Sequence, residues 1–297
     1  MLPNWYNTYK DFIENSLNNY LKEYFKKEQY EEYLNEITFW VFYAVAGWKR
    51  IRSILALEFY ITLTWKTIFD IDINDDIVKF CISLELIHAY SLVHDDLPAM
   101  DNDEFRRWEL TTWKKFWETN WILIWDLLNT LSFEVLTWIS DSTIWLRLVW
   151  LLSYSIWFFG MIGWQVLDLY FERNISKLNL EKLFSLHNKK TWALIVASIL
   201  GWIILSKKNI DNKLFEKYAR NIGLAFQIKD DILDVEWTFE ETWKSVGWEQ
   251  KWFVYFLSIE KSKEYLKNLI LESLEIIKTL HSEKLEFLTK YIEERKK

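Results

Sequence analysis

The sequence predicts an all-α protein on two observations. Only two prolines, Pro3 and Pro98, interrupt 297 residues, and proline is the residue that most firmly stops a helix. Between them apolar side chains recur at three- and four-residue spacing among charges, without the turn clusters that many short strands require. Length alone allows one or two domains and leaves the count open.

Residues 9–46 read as two helices, with Phe12, Leu17, Leu21 and Phe25 at helical spacing. The stretches "SILALEFYITLTW" and "DDIVKFCISLELIHAYSLVHDD" continue that period. Asp75 and Asp76 stand where acids suit the positive end of a helix. Pro98 predicts the end of the second stretch just after Asp96, which leaves Asp101 and the pair Arg106 and Arg107 on the following loop. Residues 121–139, 146–170, 180–205 and 211–235 are four more predicted helices, rich in Leu and Ile. The last 45 residues read as charged amphipathic helix with a solvated outer face. No fixed-period repeat, linker or low-complexity segment divides the chain.

The charge balance excludes a nucleic-acid footprint. Acids outnumber bases, 43 to 36, for a net charge of −7, and the longest basic block is Arg295, Lys296 and Lys297. A phosphate ligand would need local basic groups instead. The lone Cys81 cannot close an intrachain disulfide, and its apolar setting "KFCISLEL" predicts a core side chain. The polar N-terminus carries acids early, unlike a secretory signal, so a cytoplasmic location is the expectation. The best membrane candidate, 148–164, holds Ser153, Tyr154, Ser155 and two glycines, with Gln165 and Asp168 following. It predicts a buried core helix and no transmembrane segment.

Glycine and tryptophan are out of proportion. The chain has 6 Gly and 20 Trp, whereas average usage would give roughly 20 Gly at this length. Many tryptophans fall where a helix end or loop is expected, as in "AGWKR", "FRRWEL", "KKTWAL", "DVEWTFEETWKS" and "SVGWEQKW", places suited to glycine. One reading is a codon, the UGA triplet, that the source organism reads as glycine and that is written here as tryptophan. The other is a protein truly rich in tryptophan.

Two acidic clusters carry the chemistry: Asp95 and Asp96 with Asp101, and Asp230 and Asp231 with Asp234. Asp230 and Asp234 stand at i and i+4, on one helix face, where they can hold a hard, oxygen-seeking cation. The plainer alternative is a solvated charged turn. The apolar flanks in "LAFQIKDDILDVE" argue against it, because buried carboxylates need partners. Magnesium takes few carboxylates and leaves room for water and substrate phosphate, so two such clusters suggest a diphosphate held through metal. Lys49, Arg50 and Arg52 before one helix, and Arg106 and Arg107 after the first acids, supply cations for a second diphosphate.

The residues "GWKRIR" (47–52), "IHAYSLVHDDLPAMDNDEFRRW" (87–108), "GWQVLDL" (163–169), "KTW" (190–192), "FQIKDDILDVEW" (226–237) and "TWKSVG" (242–247) make the chain resemble the trans-prenyl diphosphate synthases, which include farnesyl and geranylgeranyl diphosphate synthases. The resemblance covers nearly the whole chain from about residue 10. Departures are mostly family glycines occupied by Trp48, Trp108, Trp164, Trp192, Trp237 and Trp243, and Ser53 where the family usually has proline.

The resemblance implies an all-α, single-domain helical bundle of roughly ten helices around a central cavity, spanning 1–297, and a homodimer. It implies a prenyltransferase joining isopentenyl diphosphate to allylic diphosphates, with Mg²⁺ as cofactor and Mn²⁺ as its substitute. Asp95, Asp101 and Asp230 would bind the metal, supported by Asp96, Asp231 and Asp234. Arg106, Lys190, Thr191, Gln227 and Lys244 would hold the allylic diphosphate, and Lys49, Arg52, His88 and Arg107 the isopentenyl diphosphate. Tyr90 and Ser91, one turn before the first aspartate, would face the floor of the apolar cavity and set chain length. A bulky Tyr90 predicts a farnesyl product, with geranylgeranyl next. The other readings are a terpene cyclase, a non-catalytic regulatory subunit and a structural bundle.

Overall fold

The computed structural model describes residues 2–26, 34–106, 109–158, 160–208, 212–236 and 253–295, the side chains at 34, 118, 172, 185–192 and 212 excepted. The described chain is helical throughout except for one small hairpin, as the proline count and apolar spacing predict. It divides into two compact units, Met1–Leu57 with Lys66–Leu146 and Glu58–Trp65 with Arg147–Lys297.

The first unit holds α1 (Asn4–Lys26), α2 (Leu34–Val45), the start of α3 (Ile51–Thr64), α4 (Asp76–Asp95), the hairpin β1 (Phe105–Arg106) and β2 (Glu109–Leu110), α5 (Thr112–Lys115) and α6 (Glu118–Glu134). Its central element is α4, which packs against α1, α2 and α6. The reason is compositional. Ile77, Val78, Phe80, Ile82, Leu84, Leu86 and Ile87 place apolar groups on every side of the helix, so it is stable only when covered all round. Asp75 precedes the first turn, and the helix ends at Asp95, as Pro98 requires. Cys81 is buried, as expected.

The second unit holds α7 (Ser142–Ile156) from Arg147 onward, α8 (Met161–Arg173), α9 (Leu180–Ser206), α10 (Asn212–Glu236), α11 (Phe253–Leu257), α12 (Ile259–Ile277) and α13 (Glu283–Glu294). Here the centre is α10, against which α9, α11, α12 and α13 pack. Phe59 stacks on Trp202 at 5.6 Å between ring centroids, and Phe215 and Tyr218 of α10 meet Phe59 edge-on.

Three expectations need correction. The single helix expected over 146–170 is two, because Gly160 and Gly163 bring the chain too close to itself for a side chain. A Cβ at Gly160 would lie 1.9 Å from the Ser155 carbonyl oxygen, and one at Gly163 1.6 Å from that of Phe158. The resulting helices have 15 and 13 residues, short of the ~20 that cross a membrane. They are also less covered than a core helix: Trp150, Tyr154, Trp157, Phe158, Ile162, Val166 and Tyr170 are exposed. By length and composition Asp76–Asp95 passes as a span, but 72% of it is buried inside the protein.

The C-terminal segment is likewise three helices among the described residues, amphipathic as expected, with Lys261, Glu264, Lys267 and Glu272 on the solvated face and the apolar face turned inward. Leu266, Leu269, Ile270, Ile276 and Ile277 of α12 are buried, and α12 packs on α10. Arg106, finally, lies in β1 rather than in irregular loop.

The tryptophans divide by position. Trp65 follows the last residue of α3 with φ +58° and is 91% exposed, the conformation and place where a helix normally ends in glycine. Trp192, by contrast, sits within α9 and not at a helix end. Trp121 and Trp202 are fully buried, and their indole N–H groups have no hydrogen-bond partner among the described residues.

Candidate active site

Each acidic cluster lies toward the C-terminal end of the central helix of its unit. In the first, Leu97 and Pro98 begin a turn in which the Met100 N–H donates to the Leu97 carbonyl at 2.9 Å, proline taking the position it pre-organises. The chain folds back, and the Asp101 N–H donates to the Asp95 carbonyl at 3.0 Å. The turn thus brings Asp95 and Asp101 together through the backbone. The hairpin then returns Arg106 to the helix end, where its Nε donates to Asp96 Oδ1 at 2.7 Å and its Nη2 lies 2.5 Å from the same oxygen. Asp103 is 3.6 Å from that Nη2. Burial works against the guanidinium charge, but the Asp96 carboxylate, with Asp103 and Asp95, outweighs it and holds Arg106 above the ordinary arginine value. Asp96 is buried by this pairing, whereas Asp101 is exposed.

In the second cluster Asp230 and Asp234 are partly or fully exposed on α10, as the four-residue spacing predicts, and Asp231 turns inward. Asp231 accepts from Gln227 Nε2 at 3.2 Å and from the Phe253 backbone N–H at 3.0 Å. It therefore anchors the first residue of α11, where an unpaired N–H needs an acceptor. Burial, with the Asp230 and Asp234 charges added, pushes its carboxyl up to about 8, against the lowering effect of those two hydrogen bonds. Asp230 is paired with Arg295 at 2.6 Å.

The basic group before α3 is split by function. Arg50, with φ +59°, points inward, donating to Glu85 Oε2 at 3.0 Å and to the Val45 carbonyl at 2.6 Å. Ser53, at the family's proline position, donates to the other oxygen of Glu85 at 2.5 Å. Arg52 points elsewhere, its Nη1 lying 3.2 Å from His88 Nε2. The ring of Trp48 packs edge-on against His88 at 4.6 Å, and the Lys49 carbonyl accepts from Tyr6 Oη at 2.6 Å. Tyr90 is buried and stacks on Trp125, 6.2 Å between centroids, and the Ser91 hydroxyl donates to the His88 carbonyl.

A family model described as polyprenyl synthetase matches residues 34–288. The chain belongs to the polyprenyl synthetase family. Its similarity to the farnesyl diphosphate synthase of Micrococcus luteus is 40% identity over 260 residues, 85% of this chain and 86% of that one. Similarity to the geranylgeranyl diphosphate synthase of Cyanophora paradoxa is 36% over 240 residues, 78% and 77% of the two chains. Among solved structures, the geranyltransferase of Helicobacter pylori, complexed with magnesium and isoprenyl diphosphate, superposes with a TM-score of 0.81 at 32% identity, covering 98% of this chain and 97% of that one. This polyprenyl synthetase is accordingly a prenyltransferase of the isoprenyl synthase fold.

Of the expected site residues, the first unit brings together Asp95, Asp96, Asp101 and Arg106 at one helix end, and separately Arg52 with His88. The second unit brings together Gln227, Asp230, Asp231 and Asp234. Lys190 and Thr191 lie in α9, but their side chains, and Arg107 and Lys244 entirely, are outside the described residues. Sequence reasoning missed Arg295, visible only as part of a short basic block, and the Arg50–Glu85 pair, which no spacing signals.

Members of this family generally use a divalent metal. Among the described residues no three His, Cys, Asp or Glu side chains already stand together as a metal site. The donor chemistry nevertheless fits. All six candidates offer hard carboxylate oxygens, and Asp230 and Asp234 add like charge beside Asp231, which a cation there would offset.

Proposed function

We propose that this polyprenyl synthetase is a farnesyl diphosphate synthase, which joins isopentenyl diphosphate to dimethylallyl and then geranyl diphosphate. The supporting observation is Tyr90, a bulky ring held against Trp125 on the helix that ends in the first acids. A growing chain running down that helix meets a side chain with no room to rotate away.

In this reading Asp95, Asp101 and Asp230 hold Mg²⁺, and Asp96, Asp231 and Asp234 support it. Bound metal supplies positive charge to the leaving diphosphate. Arg106, fixed by Asp96, holds the allylic diphosphate with Lys190, Thr191, Gln227 and Lys244. Lys49, Arg52, His88 and Arg107 hold isopentenyl diphosphate, and the Arg52 guanidinium, which donates to His88 Nε2, keeps those two side chains side by side. The allylic C–O bond breaks, the isopentenyl double bond forms the new C–C bond, and the departing diphosphate carries off the proton lost from the adduct. Apolar walls exclude water from the cation, and no side-chain nucleophile is required.

The same reading takes the two units as one catalytic domain, since the reaction draws on residues of both. It takes the enzyme as a cytoplasmic homodimer, with the exposed apolar stripe Trp150, Tyr154, Ile162, Val166 and Tyr170 as the face to be covered.

Purified protein given dimethylallyl diphosphate, isopentenyl diphosphate and Mg²⁺ tests the reading by product length. A C15 product that disappears with EDTA is expected. A C20 product would reassign the enzyme as a geranylgeranyl diphosphate synthase, and no isopentenyl consumption would replace catalysis with the regulatory-subunit reading.

A further inference from the structure

Arg295 follows the last residue of α13 and is carried back onto α10. The two helices touch at Tyr218 and Thr289, whose hydroxyls are 2.9 Å apart, and again at Phe226, Asp230 and Arg295. The contacts occur in the same order along both helices, so α13 runs beside α10 and delivers its C-terminal residue to the acids. There the guanidinium lies 3.8 Å over the Phe226 ring, donates to the Phe226 carbonyl at 2.9 Å and to Asp230 Oδ1 at 2.6 Å. Its side chain is 5% exposed, that of Asp230 40%, and its Nε is buried with no hydrogen-bond partner among the described residues.

We propose that Arg295 is a positioning residue that holds the Asp230 carboxylate in place and must yield part of that contact when a divalent cation binds there. The inference rests on the reading of Asp230 as a metal ligand. An arginine keeps its charge at any working pH, so cation and guanidinium compete for one carboxylate oxygen. The Phe226 ring and carbonyl are what keep Arg295 nearby once displaced. It therefore acts as a returning counter-ion that stops Asp230 and Asp234 from repelling one another in the metal-free enzyme. By linkage, whatever Arg295 gains from Asp230 is subtracted from metal affinity, and metal in turn loosens Arg295.

Mn²⁺ titrated against the substrate-free enzyme, with the free ion counted by electron paramagnetic resonance, tests this. Arg295→Gln should bind Mn²⁺ at least about fivefold more tightly, the lower end of ordinary coupling between two ligands. Arg295→Lys, which keeps the charge, should stay near the parent. The gain should vanish in the Asp230→Asn background. Unchanged or undetectable binding in folded Arg295→Gln, or an equal gain in Arg295→Lys, overturns the proposal. Should Arg295→Gln not fold, carboxypeptidase B acting on the 297-residue chain supplies the answer. Release of Arg295 should quicken when Mg²⁺ and inorganic diphosphate are present, and an unchanged rate overturns the proposal. Failure of the parent to condense isopentenyl diphosphate would overturn the proposed function while leaving the Mn²⁺ comparison to decide Arg295.

A separate observation carries a second inference. Trp65 holds a left-handed backbone conformation at the end of a helix with its ring in solvent. Among the described residues Trp121 and Trp202 bury indole N–H groups without acceptors, and by the resemblance to trans-prenyl diphosphate synthases Trp48, Trp164 and Trp192 stand where that family has glycine. An indole gains nothing at the first and loses hydrogen bonding at the next two. We infer that the source organism inserts glycine at 48, 65 and 164. Tandem mass spectrometry of peptides from the native host should find glycine at 48, 65 and 164, and tryptophan at all three would overturn it.

Discussion

Arg50 keeps a full charge in the interior, and Glu85 makes that tolerable. The two side chains are 3% and 1% exposed, with Ser53 bracing the carboxylate from the other side. Glu85→Gln would leave the guanidinium with the more exposed Glu14, 3.6 Å from its Nε, as its counter-charge, and a loss of up to about 3 kcal/mol in denaturant unfolding is expected. A double Arg50→Met, Glu85→Met variant should recover much of it, since no charge is then left unpaired. Nothing in "KRIR" distinguishes Arg50 from Lys49 and Arg52 by type. Which of the three turns inward depends on an acid 35 residues away, so only the grouping was legible. Tyr90 was legible because it stands on the helix that carries the first acids. Tyr90→Ala should shift product from C15 toward C20, read by chromatography of the dephosphorylated alcohols, and an unchanged product length would remove Tyr90 from length control.

Among the elements, α11 is held at its first residue by a carboxylate. Asp231 accepts from the first N–H of that five-residue helix, and five residues cannot sustain a helix unaided. In Asp231→Ala the Phe253 amide should exchange with solvent much faster, whereas Asp231→Asn, which retains an acceptor oxygen, should protect it. Amide exchange followed by mass spectrometry reads the difference. The bounds of α9 and α10 could be read within a residue or two, because long apolar periods end in polar residues on both sides. The break between α7 and α8 could not. A glycine in an apolar run is compatible with helix, and only the collision a Cβ would make with the Ser155 and Phe158 carbonyls shows that the chain turns there.

At the scale of the molecule, two units each end their central helix in acids, and one proposed reaction uses both. Asp95→Asn and Asp230→Asn should each lower kcat by about 10²–10³-fold. The double variant should lose far less than the product of the two, because groups acting on one step are not additive. Additive losses would separate the clusters into independent roles. The all-α class was legible from proline scarcity and apolar spacing. The division into units was not, since it reflects contact density rather than any compositional seam.

The hydroxyl of Tyr6 holds the Lys49 carbonyl, immediately before the left-handed residue Arg50 and close to the Arg52 and His88 pair. Tyr6 lies ahead of the family-matched residues 34–288, so a shortened expression version begun at residue 34 and left intact at its other end would still contain every proposed ligand group and Arg295. It would lose the peg that holds the basic segment before α3. Such a version should show a raised KM for isopentenyl diphosphate with the allylic KM little changed, a defect of aim caused by residues that touch no substrate.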